Sequence, residues 1–489
     1  MTSKGTQLII FVLAVFFGCQ ASAHVNMSYY LNVDTLNHYA EVTLKATNIK
    51  GTETTLKLPV WAPGYYKIMD YPVNITDFRA NNGAKALKTE KQGKCTWVIK
   101  HNDTLREMTV TYHVYCNEQS VASAQIESTR AFIPLNGILM YVDGEKSSPV
   151  SLSVSMPLCW KHITTGLKRL NDNTFIAPNF DRLYDSPLLL GNHELKAFTH
   201  EGHKYEMAIE TPDGIDKCPL IEDMKKVISS TTKLMGDVPY DNYAFLMMKE
   251  GQGGLEHLNS QAIFTNGSYN FPDRAEYISF LSFMAHEYYH LYNVKSIRPI
   301  ELEPFNYDGE IYSHCLWVSE GLTVYYEHKI LQMAGIISEK ERMHLLSEYI
   351  RNIETHEGQK HQSLRQFSYD IFLNFMNWGE HGLKTTVSYY EKGPVIGLLL
   401  DIDIQRATKG KKSLDDVMRL LYNRFYKEKQ RGFTEEELWQ SITEIAGKPL
   451  DDIRKLVDTT APIDYDSYLK YIGYELSKDY ELMKIKIND

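Results

Sequence analysis

The sequence predicts an α+β protein of several domains. Three features carry that expectation: a period of two from about residue 24 to 200, a longer period from near Pro219, and a mostly helical period after the glycines at 251–254. The expected layout is a leader at 1–23, an N-terminal β-sandwich-like domain at 24–200, a mixed α/β domain at 201–400 and a C-terminal helical domain at 401–489. The softest boundary lies between 195 and 220.

The leader reads as a secretory signal peptide. Lys4 precedes an apolar run at 8–19, followed by Ala21-Ser22-Ala23, an A-x-A site for cleavage after Ala23. The run is too short to span a bilayer as a helix, and no later stretch is long enough. The expected location is therefore outside the cytoplasm, periplasmic or secreted. A second reading takes Phe17-Gly18-Cys19 as a lipid-attachment site, with Cys19 as the mature N-terminus, although Phe16 fits that pattern poorly.

The formal charge of −10 comes with no basic block, which argues against nucleic acid or an anionic membrane as partner. Six cysteines, at 19, 95, 116, 159, 218 and 315, show no C-x-x-C spacing of a zinc knuckle or redox site. Export would permit a disulfide such as Cys95–Cys116, but spacing alone pairs none of them.

Strands are expected at 38–46, 108–114 and 150–156, where polar and apolar residues alternate and one face is buried. Pro59, Pro63-Gly64 and Asn81-Asn82-Gly83 separate such segments as turns. A helix is expected at 220–235 and a strand at 243–248. Pro272 and Asp273 suit a first helical turn. Capping boxes are expected at Ser338/Glu341, Ser413/Asp416 and Thr434/Glu437.

The stretch MAHEYYHLYNVKSIRP, residues 284–299, holds the most chemistry. His286 and His290 are four apart, so on a helix both imidazoles project from one face toward a single ion. Glu287 sits beside that face, where it can reach a water without ligating the ion. Two nitrogen ligands and a base are what metal-assisted hydrolysis requires. The pattern fixes only three positions, so a chain with 17 histidines can also present it by chance. A third ligand weighs against chance. Glu320, in WVSEGLTVYY (317–326), follows His290 by 30 positions, enough chain to leave one helix and return antiparallel on a second. Trp317, Gly321 and Val324 are spaced for that second helix to pack closely. A His₂Glu set leaves a fourth position open for water.

These two segments resemble the glycyl aminopeptidase family of zinc metallopeptidases, in the gluzincin group with thermolysin-like catalytic domains. WAPGYYKIMDY (61–71), GGLEHLNS (253–260), LRQFSYDIF (364–372), SYYEKGPVIGLLLDIDI (388–404) and KPLDDIRKLVDTTAPIDYDSYLKYIGYEL (448–476) extend the likeness over most of 50–476. Many members carry a PDZ domain, for which this chain leaves no room after 476. The resemblance implies a thermolysin-like α/β zinc domain in the middle and a single Zn²⁺ held by His286, His290 and Glu320. It implies Glu287 as general base and Tyr390, before Glu391-Lys392-Gly393, as donor to the oxyanion, with Tyr389 as the alternative. It also implies that Glu256 holds the substrate's α-ammonium, with Gly253 and Gly254 letting the peptide backbone approach. His257 could bind substrate or merely pack, and Lys295 and Arg298 could hold a substrate carboxylate or pair with acids.

The function expected from these residues is an exported zinc metallopeptidase acting on peptides as an aminopeptidase, with Gly or Ala preference following from the resemblance alone. An endopeptidase, or another hydrolase on the same zinc site, is the first alternative. A surface binding protein with a relict site is the second, and the intact set of four metal-site residues argues against it.

Overall fold

The computed structural model describes residues 24–210, 216–249, 251–265, 271, 273–374 and 379–485. The leader, Cys19 and Pro272 lie outside the described residues. The N-terminal region is built of three sheets, of seven, five and four strands. In the largest, Asn26–Asp34 pairs antiparallel with Tyr39–Thr47 and parallel with Val150–Ser155, and Tyr39–Thr47 pairs antiparallel with Glu107–Tyr115. The alternation read from the sequence sets their inward faces: Tyr29, Leu31, Val42, Leu44, Val110, Tyr112 and Leu152 enter one apolar core with Leu56 and Ile133 of the other sheets. Cys95 and Cys116 are buried free thiols, so the permitted disulfide does not form.

A second, five-stranded sheet runs in the order 194–200, 203–209, 242–248, 260–264, 254–256. Its first strand, Glu194–His200, lies on the N-terminal side of the boundary expected at 200. Period-two patterning does not distinguish which sheet a strand joins, and here the hairpin to His203–Ile209 decides. Among the described residues, the last strand, Gly254–Glu256, pairs only with Ser260–Phe264 and forms the edge. The boundary expected at 400 falls inside the helix Tyr389–Thr408.

Three helices frame the site. The histidine helix, Arg274–Tyr289, starts at Asp273, whose side chain accepts from the Glu276 amide; Asp273 is thus the cap rather than part of the first turn. The glutamate helix, Leu322–Met333, is preceded by a π turn at Trp317–Gly321. The tyrosine helix, Tyr389–Thr408, is capped by Ser388. The boxes at Ser338, Ser413 and Thr434 are all formed.

The π turn and the tyrosine helix touch through glycines. A Cβ on Gly321 would lie 2.6 Å from the Gly393 Cα and 2.8 Å from the Tyr389 carbonyl oxygen, and one on Gly393 would lie 2.3 Å from the Gly321 Cα. Backbone meets backbone, so no side chain fits. Gly393→Ala is expected to force the helices apart at a cost of about 1–3 kcal/mol, read as a lower thermal midpoint. An unchanged midpoint would show that the crossing is not tight.

Candidate metal centre

His286 occupies the last turn of the histidine helix, and His290 caps it with its amide still bonded to the His286 carbonyl (3.2 Å). Each ring is held by its Nδ1. His290 Nδ1 lies 2.7 Å from the Asn293 carbonyl, which can only accept, so this nitrogen donates. His286 Nδ1 lies 2.7 Å from the Glu327 carboxylate. With both Nδ1 atoms donating, both Nε2 lone pairs face the same space, 3.0 Å apart. Glu320 Oε2 completes the group at 3.5 Å from His290 Nε2 and 3.8 Å from His286 Nε2.

Two imidazole lone pairs and a carboxylate oxygen at these separations repel unless a cation lies among them. Ligand atoms about 2.0–2.2 Å from a tetrahedral ion stand roughly 3.3–3.6 Å from one another, close to the triangle seen here. All three residues are buried. Burial disfavours ionisation of Glu320; without an ion, protonated His290 and His286 hold its carboxyl well below the usual range, and a bound cation would take over that part. The donor set fits one zinc ion.

Asn293 joins the two ligand-bearing elements. Its carbonyl orients His290, while its amide nitrogen donates to the Val318 carbonyl (2.7 Å), the Ser319 carbonyl (3.2 Å) and Thr323 Oγ1 (3.1 Å). The turn after the histidine helix is thereby fastened to the π turn that carries Glu320.

Glu287 is buried, and its carboxyl lies against the edge strand. A Cβ on Gly254 would come within 2.3 Å of Glu287 Oε1, so the glycine leaves the space the carboxyl occupies. Gly253 has φ +90°, a left-handed conformation that favours glycine, and its carbonyl accepts from the Phe264 amide at 3.0 Å. Glu256, at the end of the same strand, is buried beside Gly64 of the N-terminal domain. A Cβ on Gly64 would lie 2.6 and 2.8 Å from the two Glu256 oxygens.

Tyr389 and Tyr390 diverge. Tyr389 is fully buried, its ring edge-on to Phe367 at 5.0 Å. Tyr390 faces the cleft, its ring centroid 6.3 Å from that of His286. The cleft, about 1100 Å³, is lined by Tyr390, His286, Glu287, His290, Glu320, Gly253, Gly254 and Glu256. The structure thus brings these eight residues, each expected from the sequence, into one cleft. Tyr65, Gln119 and Val121 of the N-terminal domain line it as well. His257, Lys295 and Arg298 lie instead around a smaller cavity of about 230 Å³. Arg298 pairs with Glu303 at 3.0 Å.

Sequence reading missed Glu327, Asn293 and Gly64. Glu327 had a signal, since seven residues past Glu320 is two helical turns, on the same face. Asn293 and Gly64 had none, because their roles depend on contacts between distant segments.

Residues 28–192 match the family described as Peptidase M61 N-terminal domain, and 279–396 match M61 glycyl aminopeptidase. No curated protein matches the sequence. Among solved structures, an aminopeptidase N family protein from Idiomarina loihiensis is 28% identical, with a TM-score of 0.87 over 92% of this chain and 79% of that one. An M1 zinc metallopeptidase from Deinococcus radiodurans (13% identity, TM-score 0.56, 90% and 94% covered) shares the fold. So does an aminopeptidase A from Legionella pneumophila (13%, 0.54, 89% and 49%).

Because Glu327 orients His286, Glu327→Gln is expected to weaken zinc binding by about 10–100-fold in a chelator competition titration. Unaltered affinity would remove Glu327 from the site.

Proposed function

The chain belongs to the M61 glycyl aminopeptidase family of zinc metallopeptidases, and on that ground we propose that it is an exported aminopeptidase removing N-terminal residues, glycine or alanine among them, from peptides. One observation carries the reading. A single cleft holds a converging His286, His290 and Glu320, a base beside them in Glu287, and a buried carboxylate, Glu256, at the end of a sheet-edge strand.

His286, His290 and Glu320 would hold a zinc ion, which would supply Lewis acidity, bringing the pKa of water to about 7. Glu287 takes the proton of the attacking water and returns it to the departing amine. Burial pushes its carboxyl up to about 7 in the ion-free protein, with His286 and His290 opposing the rise and Glu256 and Glu320 adding to it. The Tyr390 hydroxyl donates to the carbonyl oxygen as negative charge develops there. Its side chain is open to the cleft, and a phenol, with an ordinary pKa of about 10, keeps its proton near neutral pH. The substrate backbone lies along Gly253 and Gly254 as an added strand, and Glu256 accepts hydrogen bonds from the α-ammonium. A peptide interior lacks that charge, which is how the site selects ends.

Residues 1–23 support export, and among the described residues no helix is long and apolar enough to cross a membrane. Release after Ala23 places the protein in the periplasm or outside the cell; a lipid anchor at Cys19 is the alternative.

Glu287→Gln is expected to keep its zinc and lose roughly 10²–10⁴-fold in kcat; full turnover would overturn the assignment. Tyr390→Phe is expected to lose about 10²–10³-fold in kcat, while Tyr389→Phe loses little, as steady-state kinetics on one peptide will show. A panel of free and N-acetylated peptides, assayed before and after chelation, tests the specificity. Cleavage of free-amine peptides alone, lost on chelation, is the expected result, and equal cleavage of blocked peptides would make the protein an endopeptidase.

A further inference from the structure

Behind Glu256 lies a charged chain that crosses between the domains. Lys295 is buried and does not line the substrate cleft. Its ammonium stands 3.0 Å from Asp185 Oδ1 and 3.6 Å from Glu256 Oε1. Asp185 follows the short helix Phe180–Tyr184 of the N-terminal domain. It accepts from the Leu258 amide at 2.8 Å and contacts His257 Nδ1 at 3.1 Å. Arg182 reaches Asp185 at 3.4 Å and donates to Asn259 Oδ1 at 2.9 Å, while Asn259 Nδ2 donates to the Gly166 carbonyl at 2.8 Å. The residues directly after Glu256 are therefore pinned to the N-terminal domain at three successive positions.

An ammonium buried here would be costly without partners. Burial drives Lys295 toward neutrality, yet Asp185 and then Glu256 raise its pKa above the ordinary value. Asp185 is held in the opposite direction: burial disfavours its charge, and Lys295, then His257 and Arg182, keep its carboxyl well below the usual range. The two charges sustain each other. Glu256 meets this pair with Oε1, which is buried and makes no hydrogen bond, while the residue as a whole opens onto the cleft.

We propose that Lys295, itself held by Asp185, is a positioning residue that fixes the Glu256 carboxylate for recognition of the substrate's free α-ammonium. This rests on the reading of Glu256 as the ammonium site. Lys295 touches no substrate; it occupies the oxygen facing away from the cleft and supplies the positive charge that compensates it there. Gly64 confines the same carboxylate from the N-terminal domain. Recognition of the free end is thus a joint property of both domains.

The test uses zinc-loaded enzyme and two inhibitors, an amino-acid hydroxamate and its N-acetyl analogue, with the ratio of their inhibition constants as readout. The wild-type protein is expected to prefer the free-amine form. Lys295→Met is expected to cut that preference roughly tenfold or more while leaving binding of the acetyl form in place, as loss of one partner of a buried charged pair demands. Lys295→Arg should restore part of the preference, and Asp185→Asn should lower it in the same direction. In a Glu256→Gln background, Lys295→Met should change the ratio no further. If Glu256→Gln abolishes the preference and Lys295→Met leaves it at the wild-type value, the positioning role is wrong although the ammonium site stands. If Glu256→Gln itself leaves the preference intact, the ammonium site is wrong, whatever Lys295 does. Equal weakening of both inhibitors by Lys295→Met would make the lysine a structural support and overturn the proposal.

Discussion

Two imidazole Nε2 atoms and one carboxylate oxygen are held facing each other in a buried space, and that arrangement calls for a positive charge among them. The hydrogen bonds that create it come from outside the ligand triad. The Asn293 backbone carbonyl and the Glu327 carboxylate accept hydrogen bonds from the Nδ1–H groups, which leaves each Nε2 free to ligate. Asn293 also grips the π turn, and the Gly321–Gly393 contact brings the tyrosine helix against that turn. The three candidate ligands, Glu287 and Tyr390 therefore depend on one knot of helix ends.

The N-terminal domain is part of the active site. Gly64 leaves room for the Glu256 carboxylate, Asp185 fastens the residues that follow it, and Tyr65, Gln119 and Val121 form part of the cleft wall. A catalytic domain severed from these contacts would keep its metal ligands and lose the surroundings of Glu256.

Much of the centre was legible in the sequence because helical geometry converts spacing into direction. His286 and His290 could be placed on one face, with Glu287 beside it, by their spacing alone, and Glu320 by the length of chain needed to return. The β-domain was legible because burial of one face enforces a period of two. What the sequence could not show depends on contacts between segments far apart. The strand Glu194–His200 has the same alternation in either sheet, and only its partner decides where it belongs. The π turn at Trp317–Gly321 has no sequence pattern of its own. The choice between Tyr389 and Tyr390 needed the direction of the tyrosine helix, which sends the first residue into the core and the second into the cleft. Lys295 looked equally suited to a substrate carboxylate, until the fold placed Asp185 against it.

The measurement that bears most directly on this account is the metal content of purified protein by mass spectrometry, for the wild type and for Glu320→Ala. The account predicts one zinc per wild-type chain and little or none in the variant, with the β-domain still folded. Wild-type protein devoid of transition metal and unable to take it up, or a variant that binds zinc as tightly as the wild type, would contradict it.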